Sequence, residues 1–222
     1  MTVLPPEAGY RLWAPAYDSE PNPLVALEER VLRQSLLFGP GMRVLDLATG
    51  TGRWLAHVRS HGAQAFGVDL SAEMLEQASR KPHARGRLIR ATLSALPVRD
   101  DFADVAICSF ALGYIPSPET AFREMARTSR RIIVSDLHPE AVGAGWRRTL
   151  RKGGTKYEIA NWSHSSKLLD KCAGEAGLSL CWRREERFGA AEFEIFEQAA
   201  KRETFDAACR IPAILISCWA RA

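Results

Sequence analysis

The chain lacks any apolar run near the roughly 20 residues that a membrane-spanning helix needs. Its opening, MTVLPPEAGYRLW, lacks the basic-then-apolar layout of a secretory signal, so a cytoplasmic protein with no membrane anchor is expected. Cysteines at metal or redox spacing are also missing. The five present (Cys108, Cys172, Cys181, Cys209 and Cys218) are odd in number and include no C-x-x-C pair, which argues against a disulfide framework and a zinc site. Cys108 and Cys218 fall in apolar runs and read as small buried hydrophobes. Nor is charge of one sign concentrated, with 30 basic residues spread among 26 acidic ones for a net charge of +4. A nucleic-acid binder gathers its basic residues on one face or tail. The densest basic cluster here, Arg147, Arg148, Arg151 and Lys152, is short and reads as solvated surface. Repeats and low-complexity linkers are absent. What remains, 46% hydrophobic and 25% charged residues over 222 positions, suits one soluble domain (1–222) that buries a full core.

Short apolar runs alternate with helical patterns from about residue 41. MRVLDLA (42–48), AQAFGVDL (63–70), GRLIRAT (86–92), ADVAICSFA (103–111) and RRIIVSDL (130–137) read as strands. They are β-branched or apolar on both faces, as parallel strands covered by helices are. Helices are predicted over 53–61, over 72–80 with Ser71 as N-cap, and over 118–128 with Ser117 ahead of Pro118 at the first helical position. This alternation predicts right-handed β-α-β units in a doubly wound α/β sheet. A further helix over 23–38 starts at Asn22-Pro23 and ends at Gly39-Pro40. The alternation breaks over 138–164, which carries Trp146, Tyr157 and Trp162 and reads as an insertion. It resumes with a helix at 165–176, a strand at 178–187, a helix at 192–208 and a strand at 212–220, the last two strands forming an antiparallel edge.

In open α/β sheets, ligands bind at the carboxyl ends of strands, where the strand order reverses. The first sheet strand ends in VLDLATGTG (44–52), whose Gly50 and Gly52 allow positive φ and close backbone approach to a ligand. The following helix offers unpaired N–H groups to an anion. Asp69, at the end of the next strand, is placed to accept from ribose hydroxyls. A lone G-x-G serves turn geometry as readily as ligand binding, and Asp69 tips the balance towards an adenosine ligand. The dinucleotide fingerprint requires a third glycine where this chain has Leu55, and the Walker pattern is missing. Asp46 would repel a phosphate yet receive a cationic ammonium. A ligand with an adenosine end and a cationic end fits better than NAD or ATP.

VLDLATGTGRW, GVDLSAEMLEQA, LPVRDDFADVAICSFALGYI and EMARTSRRIIVSD, in this order and spacing, resemble class I S-adenosylmethionine-dependent methyltransferases, particularly the ubiquinone/menaquinone-type group. The resemblance covers about residues 40–137, and YRLWAPAYDSEPNPLVALEERVL resembles the lid segment of that group. It implies a Rossmann-like, mostly parallel seven-stranded sheet with an antiparallel edge strand, helices on both faces, and a helical lid over 1–39. It also implies that the main chain of Ala48, Thr49, Gly50 and Gly52 holds the methionine moiety and that Asp46 orients this loop. Asp69 then takes the ribose, while Leu70 and Met74 pack on the adenine side. Thr92-Leu93 stands where these enzymes often carry Asp-Ala beside the adenine, and Ser109 and Phe110 flank the methionine part. Tyr17, in AYD, closes over the cofactor. The His-His pair common after the fourth strand is Gly113-Tyr114 here, so no role of that first histidine carries over.

The acceptor side is less specific. Methyl transfer needs alignment and exclusion of water, and a general base only for a nucleophile that starts protonated. His138, after the fifth strand in SDLHP, is either that base or a histidine bonded to its own loop; His164 is a second candidate, with a capping neighbourhood as its alternative. His57, His61 and His83 read as solvated. The aromatics of 138–164 either anchor that segment or wall an acceptor pocket, with Tyr10, Trp13 and Tyr114 adding to it. No metal constellation and no N/D-P-P-Y/F motif is present. The expected function is methylation of a small, aromatic or apolar molecule, with oxygen preferred because of His138. The alternatives are an RNA or protein methyltransferase, a non-catalytic cofactor-binding module and, opposed by Leu55, a nicotinamide oxidoreductase.

Overall fold

The computed structural model describes residues 1–221. The chain opens with a short strand, β1 (Thr2–Leu4), and helices α1 (Pro6–Trp13) and α2 (Pro23–Ser35). Asn22 caps α2, its side-chain oxygen accepting from the N–H groups of Leu24 and Val25, and Pro23 occupies the first turn, where no N–H is needed. The helix stops at Ser35 rather than 38, because Leu36 is already extended.

Strands and helices then alternate as the spacing required. They are β2 (Arg43–Leu47), α3 (Arg53–Ser60), β3 (Gln64–Asp69), α4 (Ala72–Ser79), β4 (Leu88–Arg90), β5 (Ala103–Ser109), α5 (Glu119–Thr128) and β6 (Ser129–Leu137). Ser71 caps α4 by accepting from the Met74 N–H at 3.2 Å. Ser117 does not cap α5, which starts one residue late at Glu119 with Pro118 ahead of it. β4 is less than half the expected length; it lies at the sheet edge and pairs with β3 alone.

After β6 come α6 (Pro139–Gly143) and a hairpin of β7 (Thr149–Lys152) and β8 (Thr155–Ile159). The hairpin turns on Gly153 and Gly154, both at positive φ as a tight two-residue loop demands. Then follow α7 (Ser166–Glu175), β9 (Ser179–Glu186), α8 (Phe193–Gln198), α9 (Phe205–Ala208) and β10 (Ile214–Ala220). The single helix expected over 192–208 is broken. Ala200 takes φ 51°, and the two short helices fold back on a shared cluster in which Phe205 meets Phe193 and Phe196 edge-to-face. The aromatic packing outweighs continuation of the helix.

The main sheet has seven strands in the order β4-β3-β2-β5-β6-β10-β9. The first five are parallel, and β10 runs antiparallel to both β6 and β9. Helices cover both faces, so β2 and β5 bury nearly every side chain. Leu45, Leu47, Ile107 and Ile132 are fully buried, each contributing about 1.5–3 kcal/mol by removal from water. A second sheet, β1-β8-β7, was not foreseen: β1 pairs in parallel with β8. The segment read as an insertion is thereby joined to the N-terminal segment by main-chain hydrogen bonds, including Ala160 N–H to the Leu4 carbonyl at 2.9 Å.

Candidate active site

Strand β2 lies between β3 and β5, so the chain winds to one side through β3 and β4 and to the other from β5 onward. The crevice at the carboxyl ends of β2 and β5 is therefore the switch point. The turn leaving β2 places Ala48, Gly50 and Gly52 at positive φ. A Cβ at Gly50 would meet nothing, because it faces open space, whereas one at Gly52 would touch Leu55, Ala78 and Ala84 at ordinary contact distances, so Gly50 clears the crevice and Gly52 serves the φ of 82° that starts α3. The turn is pinned to β3 by the Thr49 N–H on the Val68 carbonyl (2.9 Å) and by the Gly50 N–H on Asp69 Oδ2 (2.7 Å). Asp69 Oδ1 accepts from the Ser71 N–H at 2.8 Å. The Thr49 hydroxyl donates to Asp46 at 2.5 Å, and only a glycine at 67 leaves room for that threonine.

A cavity of about 460 Å³ opens over this turn. Asp46, Ala48, Thr49, Gly50, Asp69 and Leu70 line it on the turn side. Met74, Thr92, Leu93, Ser109, Phe110 and Tyr17 complete the set expected from the sequence, while Gly52 faces the core instead. The opposite wall comes from the N-terminal segment and from the residues after β5: Pro5, Pro6, Tyr10 and Tyr17 against Tyr114 and Ile115. Tyr10 and Tyr114 meet edge-to-face at 5.2 Å, and the Tyr10 hydroxyl donates to that of Tyr114 at 2.8 Å. Trp13 packs behind, 4.9 Å from Tyr17. The volume lies within the range of small-ligand pockets.

A buried polar network at the floor had no counterpart in the sequence reading. Glu28 of α2 is fully buried; it pairs with Arg53 at 2.5 Å and accepts from the hydroxyls of Ser109 and Ser135. Arg53 also donates to Ser109 at 3.1 Å, and its Nη1 is buried without a partner. Arg53 lines the cavity. The available signal was the position of Glu28, four residues after Leu24 and three before Val31, on the face that the apolar pattern turns inward. Asp18 adds a second tie, accepting from the Thr51 hydroxyl and pairing with Lys81, so the N-terminal segment is fastened across the turn at two points.

The electrostatics follow from burial. Loss of water pushes the Asp46 carboxyl up to about 7, against the opposing Thr49 hydrogen bond and the nearby Arg53. Burial raises Asp69 as well, opposed by three main-chain N–H groups. Tyr10 and Tyr17 are raised by burial, and Tyr114 is pushed up to about 12, so all three hydroxyls stay protonated at neutral pH.

Neither candidate base lines the cavity. His138 caps α6, its Nδ1 accepting from the Glu140 N–H at 3.1 Å, with Nε2 3.7 Å from Glu185. His164 Nε2 lies 3.1 Å from the Leu112 carbonyl and 2.9 Å from that of Ile115, bracing the turn that presents Tyr114. Ser165 caps α7, accepting from the Leu168 N–H. Gly113 is required where it stands: its N–H donates to Asp136 at 2.6 Å, and a Cβ would come within 3.0 Å of that carboxylate. His57 and His83 are half-buried rather than solvated, and His61 is exposed. Trp146 stacks on Phe188, Tyr157 packs with Trp13 and Leu150, and Trp162 is largely exposed, so the aromatic wall comes from Tyr10, Tyr17 and Tyr114 instead. One residue of the supposedly solvated basic cluster is misread: Arg148 is only 4% exposed and sits 4.0 Å over the Phe110 ring, whereas Arg147, Arg151 and Lys152 face solvent. Arg148 shares the inward side of the hairpin with buried Leu150, two residues on, and Lys152 escapes burial at the hairpin end. Among the described residues no group of His, Cys, Asp and Glu could hold a metal, and no helix is long and apolar enough to cross a membrane.

Comparison with known proteins accords with this geometry. Residues 45–131 match the family model described as a methyltransferase domain. A demethylmenaquinone methyltransferase of Mycolicibacterium paratuberculosis is 29% identical over 178 residues, 69% of this chain and 75% of that protein. The Mycobacterium tuberculosis protein of the same name is 39% identical over 113 residues; the match spans 49% of this chain and less than half (46%) of that one. Among solved structures, an S-adenosylmethionine-dependent methyltransferase from Mesorhizobium loti superposes with a TM-score of 0.69 at 22% identity, over 89% of this chain and 100% of that one. At that identity the likeness concerns the fold.

Proposed function

The chain belongs to the class I S-adenosylmethionine-dependent methyltransferases, and from that premise we propose that it methylates an oxygen of a small, largely apolar organic molecule held beneath Tyr10, Tyr17 and Tyr114. The observation that carries this reading is the two-sided cavity, a polar turn facing an aromatic wall across about 460 Å³.

S-Adenosylmethionine supplies an electrophilic methyl group on a sulfonium whose departure is already favourable. The residues present fit it. The open space at Gly50 admits a ligand against the main chain. Asp69 spends one hydrogen bond from each oxygen on the turn and keeps lone pairs for ribose hydroxyls. Asp46 and the unpartnered Nη1 of Arg53 offer opposite charges to the ammonium and carboxylate of an amino-acid moiety. Leu70, Met74 and Leu93 give the adenine an apolar seat, with the Thr92 hydroxyl beside it.

The chain's remaining task is to hold donor and acceptor in line and keep water out. The N-terminal segment does both, laid across the cavity and fastened by Asp18 and Glu28. Among the lining groups the tyrosines hold their protons, Asp46 and Asp69 are tied to the turn, and both histidines lie elsewhere, so the exposed carboxylate of Glu7 is the one base left untied. That favours an acceptor oxygen that is already ionised, which needs no deprotonation by the protein. The preference for oxygen thus stands on a different footing from His138.

Incubating the protein with methyl-deuterated S-adenosylmethionine and a ribonuclease-treated, protein-free metabolite extract tests this. The expected outcome is one labelled small molecule carrying the label on oxygen. Label confined to RNA or protein in whole lysate would refute it, as would NAD binding without S-adenosylhomocysteine binding.

A further inference from the structure

The three tyrosines on the acceptor side of the cavity hold more protons than they spend on one another. Tyr10, Tyr17 and Tyr114 all line the space. The Tyr10 hydroxyl donates to that of Tyr114 at 2.8 Å. Each hydroxyl carries one proton and two lone pairs. A pair sharing one hydrogen bond therefore keeps one proton to spare, here on Tyr114, which donates it to nothing among the described residues. The Tyr17 hydroxyl makes no hydrogen bond among the described residues, yet protein does not seal it in, so it meets the cavity. The rings sit together, with the Tyr10 centroid 5.2 Å from that of Tyr114 and 6.3 Å from that of Tyr17. Burial raises all three hydroxyls, Tyr114 to about 12, so both spare protons stay in place at neutral pH.

Two neutral O–H donors with aromatic flanks have a definite preference. An oxyanion accepts hydrogen bonds roughly twice as strong as a neutral oxygen does, and flat rings suit a conjugated body. The charged groups around the same space do not supply that preference. Glu7, Asp46 and Asp69 on the lining oppose an anion. Arg53 is balanced by Glu28, and Arg148, behind the tyrosines, by Asp136.

We propose that Tyr17 and the Tyr10–Tyr114 pair bind the acceptor oxygen as its anion, so that the enzyme's substrates are phenols and conjugated enols. The acceptor's proton leaves to solvent on binding. Of the three lone pairs on the oxyanion, two hold the hydroxyl protons and the third attacks the methyl group. The O–CH3 bond forms as the S–CH3 bond breaks, its electron pair stays on sulfur, and the products are a neutral methyl ether and S-adenosylhomocysteine. Negative charge is consumed in the transfer, so the two hydrogen bonds select and orient the anion rather than speed its reaction. The tyrosines act here as specificity-determining residues. This inference rests on the methyltransferase reading above.

Nitrophenols report their own ionisation by absorbance and serve as the probes. A panel of them is titrated against pH, free and bound to protein kept saturated with S-adenosylhomocysteine at every pH. At least one is expected to ionise about one pH unit or more lower when bound, the tenfold gain that one charge-assisted hydrogen bond supplies. Loss of the Asp46 proton over the same range adds negative charge and works against this shift, so it does not mimic it. Tyr17→Phe should give back about half of the shift or more, as should the double variant Tyr10→Phe/Tyr114→Phe, which removes the pair together because a lone Tyr10 would keep its proton. The wild-type comparison decides the proposal should a variant not fold. Bound phenols ionising at or above their free values would overturn the anion, and a shift undiminished in either variant would overturn the part of those hydroxyls. Binding of no phenol to the saturated protein would overturn the substrate class. Failure of S-adenosylhomocysteine itself to bind wild-type protein would instead count against the methyltransferase reading.

Discussion

If Asp46 receives the cofactor's ammonium, cofactor affinity should depend on pH near neutrality. Its carboxyl is 1% exposed and pushed up to about 7 from an ordinary 3.8, chiefly by burial. Displacement of that size sets on the order of 4 kcal/mol against the charged form in the free protein. A ligand ammonium beside Asp46 favours the charged form, so cofactor binding expels the proton. Affinity for S-adenosylhomocysteine should therefore rise as pH increases, roughly tenfold per unit between pH 5 and 6.5, and flatten above 7. Stability of the free protein runs the other way. Because the folded value is raised, the native state holds the proton more tightly than the unfolded chain, and this contribution is lost as pH climbs from about 4 to about 7. Asp46→Asn keeps an acceptor for the Thr49 hydroxyl and removes the titration. Calorimetry from pH 5 to 7.5 should then give a flat affinity profile for the variant. Its melting temperature at pH 8 should exceed that of wild type by several degrees, with the gap narrowing as pH falls and closing near pH 4. A wild-type affinity that is flat over this range, or a variant retaining the slope, would refute the reasoning.

Further outcomes follow from the same geometry. Asp69→Ala removes both a tie on Gly50 and a charge-assisted acceptor, and should weaken S-adenosylhomocysteine binding by about 1.5–3 kcal/mol in calorimetry. Glu28→Ala leaves Arg53 charged and uncompensated beneath the cavity; breaking such a pair costs about 3–5 kcal/mol, seen as a melting temperature lower by roughly 6–20 °C in thermal denaturation. Glu28→Gln should lose less, since it retains acceptors for Ser109 and Ser135. His138→Ala should leave turnover within about twofold of wild type, because the side chain caps α6 outside the cavity; a loss of tenfold or more would restore it as a base.

Local chemistry explains how much was legible in advance. The five parallel strands were readable because residues covered on both faces are continuously apolar, and that property needs no partner to be seen. Asp46, Gly50 and Asp69 were readable because a strand-turn-helix unit and the strand beside it fix where their backbone and side chains point. The break at Ala200 was not readable, since it depends on three phenylalanines meeting across a turn. The same holds for β1, whose partner lies more than 150 residues away in β8.

The sequence by itself determined the sheet, the glycine turn and, through the match of its ordered motifs, the methyl donor. Each rests on periodicity or on contacts between near neighbours along the chain. Only the tertiary structure decided where the buried charges and the two histidines sit. It buried Glu28 with Arg53, took His138 and His164 out of the cavity, and turned Arg148 inward from a basic run whose other members face water. The reason is physical. Whether a charge is solvated or buried depends on which distant residues close over it, and the composition around Arg148 holds no trace of Phe110.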